Sequence, residues 1–405
     1  MQQVRLSEFA RYFFMDPALL ADPYPMYDRL READSVQFDE TLQVWILTSH
    51  AAVTAALRDS RMRADRMSAG REIPSDFAYL KPVFDFIAHQ MLFKDPPDHT
   101  RLRTLASKAF TPRRIELMRA QIQAIVDELI DAALPAGRMD VIADLAVPLP
   151  TTVIIRMLGV PESDRERFKR WSDDFAAFLG TRWLSSGDAA LRSLDEVRAY
   201  LRDLIAARRG NLGTDLVSAM IAAEEQGDVL SDEELHANIL LLLAAGHETT
   251  TNLIGNGLHA LLRHPDQLQR LREQPELAPS AVEELLRFDS PVQNTGRLAG
   301  EDLEIGGKRI AKGQFVVCQL AAANHDPAQF AEPGQLDIAR RDNRHLAFGF
   351  GSHFCFGAPL ARLEGQVAFE TLLRRLPELR LADDAAVAYT PNITFRGLQS
   401  LPVAF

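Results

Sequence analysis

Two stretches of this chain hold residue types that packing alone does not call for. The first is Phe348-Gly349-Phe350-Gly351-Ser352-His353-Phe354-Cys355-Phe356-Gly357. Glycines crowd this stretch around Cys355, and from Ala358 the apolar residues Leu360, Leu363, Val367, Ala368 and Leu372 recur with a helical period. Cys355 therefore stands just before a helix N-terminus, where exposed N–H groups and the helix dipole favour a thiolate. Flanking glycines let backbone amides approach the sulfur without a Cβ in the way. A sulfur held like this suits a metal bound through one thiolate. Taken alone, Cys355 reads equally as a small buried hydrophobe, the usual fate of a lone intracellular cysteine. A zinc site lacks partners, because the only other cysteine is Cys318. A dinucleotide fingerprint fails too, since its third glycine position holds Phe354.

The second stretch is Ala244-Ala245-Gly246-His247-Glu248-Thr249-Thr250-Thr251, which follows the apolar run Ile239 to Ala245. A glycine, an acid and three threonines are poor choices for the centre of a buried helix. Local rule-breaking inside a consistent element marks a site. A zinc-protease pair at His247-Glu248 is excluded because the second histidine position holds Thr251. The plain structural alternative is a helix whose hydroxyls bond back to carbonyls one turn earlier.

Side by side, the two stretches resemble the signature motifs of the cytochrome P450 superfamily. Phe-x-x-Gly-x-His-x-Cys-x-Gly is similar to its haem-thiolate loop, in which the cysteine is the proximal iron ligand. Ala-Gly-His-Glu-Thr-Thr is similar to its oxygen-binding helix motif. The resemblance implies a haem b cofactor bound through Cys355 as metal ligand, with Phe348, Gly349, Gly357 and Ala245 around it. It implies that Gly246 leaves room for dioxygen, that Thr249 hydrogen-bonds the oxygen and that Glu248 relays protons. Cleaving O–O heterolytically needs two protons delivered while water is otherwise kept out. Cations at the rim of a haem pocket meet its carboxylates, and His99, Arg103, Arg297 and His353 stand where bacterial members hold them. Glu284-Leu285-Leu286-Arg287 reproduces the family's Glu-x-x-Arg, with Arg340 as third partner, a scaffold network rather than a catalytic one. Phe356 is a departure, since an aliphatic residue is more common after the cysteine.

The rest of the chain must position these stretches. Its 405 residues are 47% hydrophobic and 25% charged, as in a soluble globular protein able to bury a sizeable core. A net charge of -11 argues against a nucleic-acid binder. Two cysteines, no signal peptide and no bilayer-length apolar run place the expectation in a reducing cytoplasm, away from membranes. The expected fold is mainly α with a minor β portion, one cytochrome P450 domain over 1–405 with helix-rich and smaller β-rich subdomains. In order, the pattern predicts a helix from Asp22-Pro23 to Ala33, strands at 36–38 and 44–47, and a helix at 50–58. From Ser60 to Lys94 no period holds, which reads as a long functional loop. Helices follow from Asp95-Pro96-Pro97, with His99 and Arg103 on one face, then over 112–134, 140–158, 164–178 and 188–208. A capping box at Ser231–Glu234 launches the longest helix, to Arg263. Short strands fill 292–318 and 387–405.

The function this implies is a monooxygenase acting on an unactivated C–H or C=C bond. Electrons derived from NAD(P)H would come through a ferredoxin and its reductase, as no flavin or nicotinamide fingerprint is present. Arg101, Lys108, Arg113 and Arg114 offer a docking patch to such an acidic partner. A haem-based gas sensor has no need of Glu248 and Thr249, and family peroxygenases usually place a carboxylate-binding Arg in that position. Substrate-facing positions fall at Leu240, Leu243, Ala244, Val292, Gln293, Asn294, Thr394 and Phe395, with a mobile lid over Met67–Phe93 and Arg165–Leu191. Their mix implies a medium to large, mainly apolar molecule such as a polyketide, macrolide or terpenoid.

Overall fold

Ser231 and Glu234 cap each other. The Ser231 N–H donates to Glu234 Oε2 at 3.0 Å, and the Glu234 N–H donates to Ser231 Oγ at 3.2 Å. From this reciprocal cap the central helix runs Asp232–Arg263, as its sequence predicts. Every residue from Leu235 to Leu243 is buried.

The computed structural model describes residues 7–66, 75–107, 110–179, 183–213, 215–225, 230–382 and 387–405. The chain is mainly helical and divides into two units, each assembled from separate stretches. One comprises Met1–Arg63, Gln121–Ala146 and Thr249–Phe405; the other comprises Ala64–Ala120 and Val147–Glu248. The division falls within the central helix, between Glu248 and Thr249.

The first unit holds all ten strands among the described residues: β1 (Val36–Asp39), β2 (Val44–Leu47), β3 (Met62–Arg63), β4 (Arg138–Asp140), β5 (Asn294–Ala299), β6 (Leu303–Ile305), β7 (Lys308–Ile310), β8 (Phe315–Gln319), β9 (Arg380–Leu381) and β10 (Pro402–Ala404). A five-stranded sheet has the order β1-β2-β8-β5-β3, with β2 and β8 parallel and the other pairs antiparallel. Its side chains meet the helix His50–Arg58 in one core that includes Val36, Leu47, Val53, Leu57, Val316 and Cys318. Cys318 is thus a packing residue. The strands β4, β10 and β9 form a second sheet, and β6 and β7 a hairpin.

Several expectations needed correction here. The helix read over 140–158 is β4, a wide π turn at Ile142–Ala146 and a helix at Pro148–Leu158. The cause is remote in sequence: Asp140 pairs with Pro402 and accepts the Leu401 N–H, so the C-terminal strand draws it out of the helix. The helix read over 112–134 is two, Pro112–Leu117 and Arg119–Ala133, because Met118 closes a tighter turn onto Ile115. The C-terminal tail forms one strand, β10, and isolated bridges at Tyr389 and Phe395.

In the second unit, the stretch read as a structureless loop contains a 3-10 turn at Ser75–Leu80 and a helix at Lys81–Ile87, while 67–74 lie outside the described residues. That helix is held by aromatic packing that no period reveals. Phe84 lies 5.0 Å from Phe178 and Phe86 lies 6.2 Å from Phe175, ring centre to ring centre, both partners being on the helix Arg165–Leu179. Gly187 lies within the helix Trp183–Arg209. A Cβ there would stand 2.6 Å from Leu80, so the glycine admits a neighbour.

Removing the cap tests the central helix directly. Ser231→Ala should cost about 1 kcal/mol, read as a lower midpoint of urea unfolding; an unchanged midpoint would contradict the reciprocal cap.

Candidate active site

Cys355 sits in a loop that closes on itself before the helix Ala358–Arg375. The Cys355 N–H donates to Phe348 O at 2.8 Å. Gly349 and Gly351 take left-handed φ angles of +71° and +74°, and a Cβ on Gly351 would stand 2.6 Å from Leu57 O. Backbone sterics therefore require glycine at both. Gly357 has an ordinary φ, and a Cβ there would meet nothing within 4 Å. Beside a half-buried cysteine thiol, that leaves an open approach flanked by glycine. A single thiol, a glycine-lined cradle and a helix N-terminus form a donor set that fits a flat group bound through its metal.

Two ionic networks hold this loop. In the first, Arg287 Nε and Arg287 Nη2 each donate to Glu284 at 2.8 Å, and both side chains are fully buried. Arg340 Nε reaches the same carboxylate at 3.0 Å, joined by the Asp337 N–H at 3.0 Å and Asn343 Nδ2 at 3.1 Å. The free ends of the two guanidiniums bind the carbonyls of Asn324, Ala331, Pro333 and Gln335. So the irregular run 331–346, which leads into the cysteine loop, hangs on one carboxylate.

The second network was not legible in the sequence. Arg362, seven residues after Cys355, binds Glu283 through two hydrogen bonds of 2.6 and 2.8 Å and covers the Phe348 ring at 4.6 Å. His345 meets the same carboxylate at 3.1 Å. Burial alone would raise the Glu283 carboxyl, but Arg362 and His345 outweigh it and hold it at about 2. Adjacent acids at 283 and 284 were the one available hint.

Opposite chemistry gathers on the central helix. After the covered run ending at Leu243, Ala245 is exposed and Ala244, Gly246, Glu248 and Thr249 are half-buried. The helix thus becomes accessible where its composition changes. A Cβ on Gly246 would lie 3.3 Å from Ile154 of the helix Pro148–Leu158. Thr251 does not bond back along its own helix but donates to Ala146 O at 2.8 Å. Burial pushes the Glu248 carboxyl up to about 7, and the Asp173 carboxylate adds to the effect. Burial likewise pushes His247 down to about 4, leaving a neutral imidazole.

Of the cations expected around a cofactor, His99 (buried) and Arg103 (half-buried) share the helix Asp98–Ser107 in the second unit. Arg297 (buried, on β5) and His353 (half-buried, on the turn before Cys355) belong to the first. The two expected substrate segments are neighbours in the first unit, with Val292 bridged to Phe395 and the Gln293 N–H donating to Thr394 O at 2.8 Å. Val292, Thr394 and Phe395 are half-buried. Four other expected contacts are buried. Leu240 and Leu243 are covered by protein, and Gln293 and Asn294 use their amides on Tyr27, Ser290 and Ile393 O. In the basic patch, Arg101 is engaged with Glu234 at 2.5 Å and Asp98 at 3.3 Å, Arg113 and Arg114 are exposed, and Lys108 lies outside the described residues.

Residues 36–379 match the family model described as Cytochrome P450. The chain is 43% identical to the cytochrome P450 monooxygenase PikC of Streptomyces venezuelae over 95% of its length and 91% of that protein. It is 40% identical to 6-deoxyerythronolide B hydroxylase of Saccharopolyspora erythraea, covering 94% of this chain and 96% of that one. Among solved structures, P450BioI in complex with an acyl carrier protein bearing hexadec-9Z-enoic acid superposes with a TM-score of 0.90 at 40% identity, covering 96% of this chain and all of that one. No described helix is long and apolar enough to cross a membrane.

Glu284→Ala or Arg287→Ala should strand a buried charge at a cost of about 3–5 kcal/mol, a large share of a domain's net stability. Expression should yield mainly insoluble protein, and a soluble variant with wild-type thermal stability would contradict the network's role.

Proposed function

The chain belongs to the cytochrome P450 family and is a haem-dependent monooxygenase drawing on redox partners, and from that premise we propose a residue-level reading of its site. Cys355 would hold haem b through its thiolate, Phe348, Gly349, Gly357 and Ala245 would line the group, and His99, Arg103, Arg297 and His353 would meet its carboxylates. The observation that carries this reading is the half-buried Cys355 thiol, set in a glycine loop whose flank at Gly357 is open. When bound, a thiolate-ligated haem supplies the activation of dioxygen and insertion of one atom into a C–H or C=C bond.

The chain's own residues govern protons and access. Glu248, held near neutrality at about 7, can both give and accept a proton at physiological pH. Thr249, next along the helix, orients a hydroxyl for the reacting oxygen, and the covered helix before Ala244 keeps bulk water out. Electrons derived from NAD(P)H arrive through a ferredoxin and its reductase in a reducing cytoplasm, with exposed Arg113 and Arg114 among the groups available to an acidic partner. The substrate is a medium to large, mainly apolar small molecule of the polyketide, macrolide or terpenoid kind. Supporting this are the half-buried Ala244, Val292, Thr394 and Phe395 and the similarity to PikC and 6-deoxyerythronolide B hydroxylase.

Thr249→Ala should uncouple turnover. NAD(P)H consumption with ferredoxin and reductase should persist while product falls several-fold and hydrogen peroxide rises in proportion. Glu248→Gln should instead slow NAD(P)H consumption and product formation together. Equal product per NAD(P)H in Thr249→Ala and wild type, with a substrate lacking a hydroxyl near the oxidised carbon, would remove Thr249 from the mechanism. Turnover driven by hydrogen peroxide at the same rate would favour a peroxygenase instead.

A further inference from the structure

His247 stands between Gly246 and Glu248 on the central helix, and nothing in the reaction described so far uses it. It is 3% exposed, and its Nδ1 lies 3.1 Å from Oγ of Ser172, itself 1% exposed, in a hydrogen bond. Ser172 belongs to the helix Arg165–Leu179, and this helix is pinned on three sides. Trp171 Nε1 donates to Glu196 at 3.0 Å and Asp174 accepts from Ser193 Oγ at 2.5 Å, both on the helix Trp183–Arg209. Phe175 and Phe178 pack on the helix Lys81–Ile87. Lys169, Ser172 and Asp173 lie at i, i+3 and i+4, one helical face, and Ser172 turns that face to the central helix. Lys169 and Asp173 are themselves paired at 2.5 Å.

Resting on the reading of Glu248 as the proton relay, we propose that the Ser172–His247 hydrogen bond is a positioning contact, docking the helix Arg165–Leu179 over the turn that carries Glu248 and shutting water away from its carboxyl. The surroundings define what each partner does. The charged groups facing Glu248 and His247 from the docked helix are Asp173 and Lys169, and the neighbour of this turn from the helix Pro148–Leu158 is the apolar Ile154. Since burial is the largest influence on Glu248 and pushes its carboxyl up to about 7, whatever excludes water there sets its ionisation. His247, neutral at working pH because burial lowers it to about 4, can hold the bond without bringing a charge beside the acid. A proton leaving Glu248 inward is replaced from solvent past the Lys169–Asp173 pair, and that route stays narrow while the helix is docked. Substrate exchange that lifts this helix would hydrate Glu248 and disarm it.

The test reads Glu248 in the resting protein, without turnover. Its carboxyl stretching band, identified by its loss in Glu248→Gln, is titrated by infrared difference spectroscopy. In wild type and Ser172→Thr the midpoint should lie near pH 7. In Ser172→Ala it should fall by a unit or more, so that at pH 7 the protonated fraction drops from about half to about a tenth or less. Hydrogen exchange across 165–179 should quicken in the same variant. His247→Ala, which removes the other partner, serves if Ser172→Ala does not fold. A midpoint unmoved in both folded variants overturns the proposal, even if exchange quickens, because the bond would then be structural only. Failure of the relay reading looks different: product per NAD(P)H and turnover rate would be unchanged in Glu248→Gln, whatever the infrared midpoints.

Discussion

The segment leading into the cysteine loop is anchored on a single carboxylate, Glu284. Two guanidiniums, a backbone amide and a side-chain amide converge on it in a fully buried position. Burying charge is costly unless every lone pair and proton is met, and here the cost is offset because the same guanidiniums bind three carbonyls of an irregular segment, those of Ala331, Pro333 and Gln335, and the carbonyl of Asn324 at the end of a helix. That segment has no ladder of its own, so side-chain hydrogen bonds take the place of secondary structure. It delivers the chain to Leu346, whose N–H is fixed by Asn324 Oδ1 at 2.6 Å. Two residues later comes Phe348, which accepts from Cys355. The thiol's position therefore depends on an ion pair, Glu284–Arg287, more than 60 residues away in sequence.

Much of this was legible because the relevant signals are local. The capping box at Ser231 fixed the start of the central helix, and the glycines around Cys355 announced backbone that only glycine permits, as the left-handed Gly349 and Gly351 show. The Glu284–Arg287 pair could be read from its i,i+3 spacing. What escaped was decided by partners distant in the chain. Asp140 looks helical until Pro402 pairs with it. Gln293 looks like a polar group awaiting a ligand until Tyr27 and Ser290 take both ends of its amide. Nothing in the sequence links Arg362 to Glu283, and only the fold brings them together beside Phe348.

The site's chemistry follows from one theme, the placing of titratable groups by burial. Glu248 and His247 are consecutive, yet burial moves the acid up to about 7 and the base down to about 4. Each change removes charge from a buried turn, and together they leave a carboxyl poised to exchange protons beside an imidazole that stays neutral. On the opposite chemistry, the helix N-terminus and the glycine loop favour a charged thiolate at Cys355. The chain thus tunes the acid and the imidazole by burial and the sulfur by the helix dipole, two different physical means.

Whether Cys355 is the axial ligand is the claim on which the others stand. The visible absorption of the reduced carbon monoxide complex reads that ligand directly, because only a thiolate opposite the gas gives the strongly red-shifted Soret band. Wild-type protein should show this band, and Cys355→Ser should lose it while Cys318→Ser keeps it. A red-shifted band surviving in Cys355→Ser would contradict the account at its root.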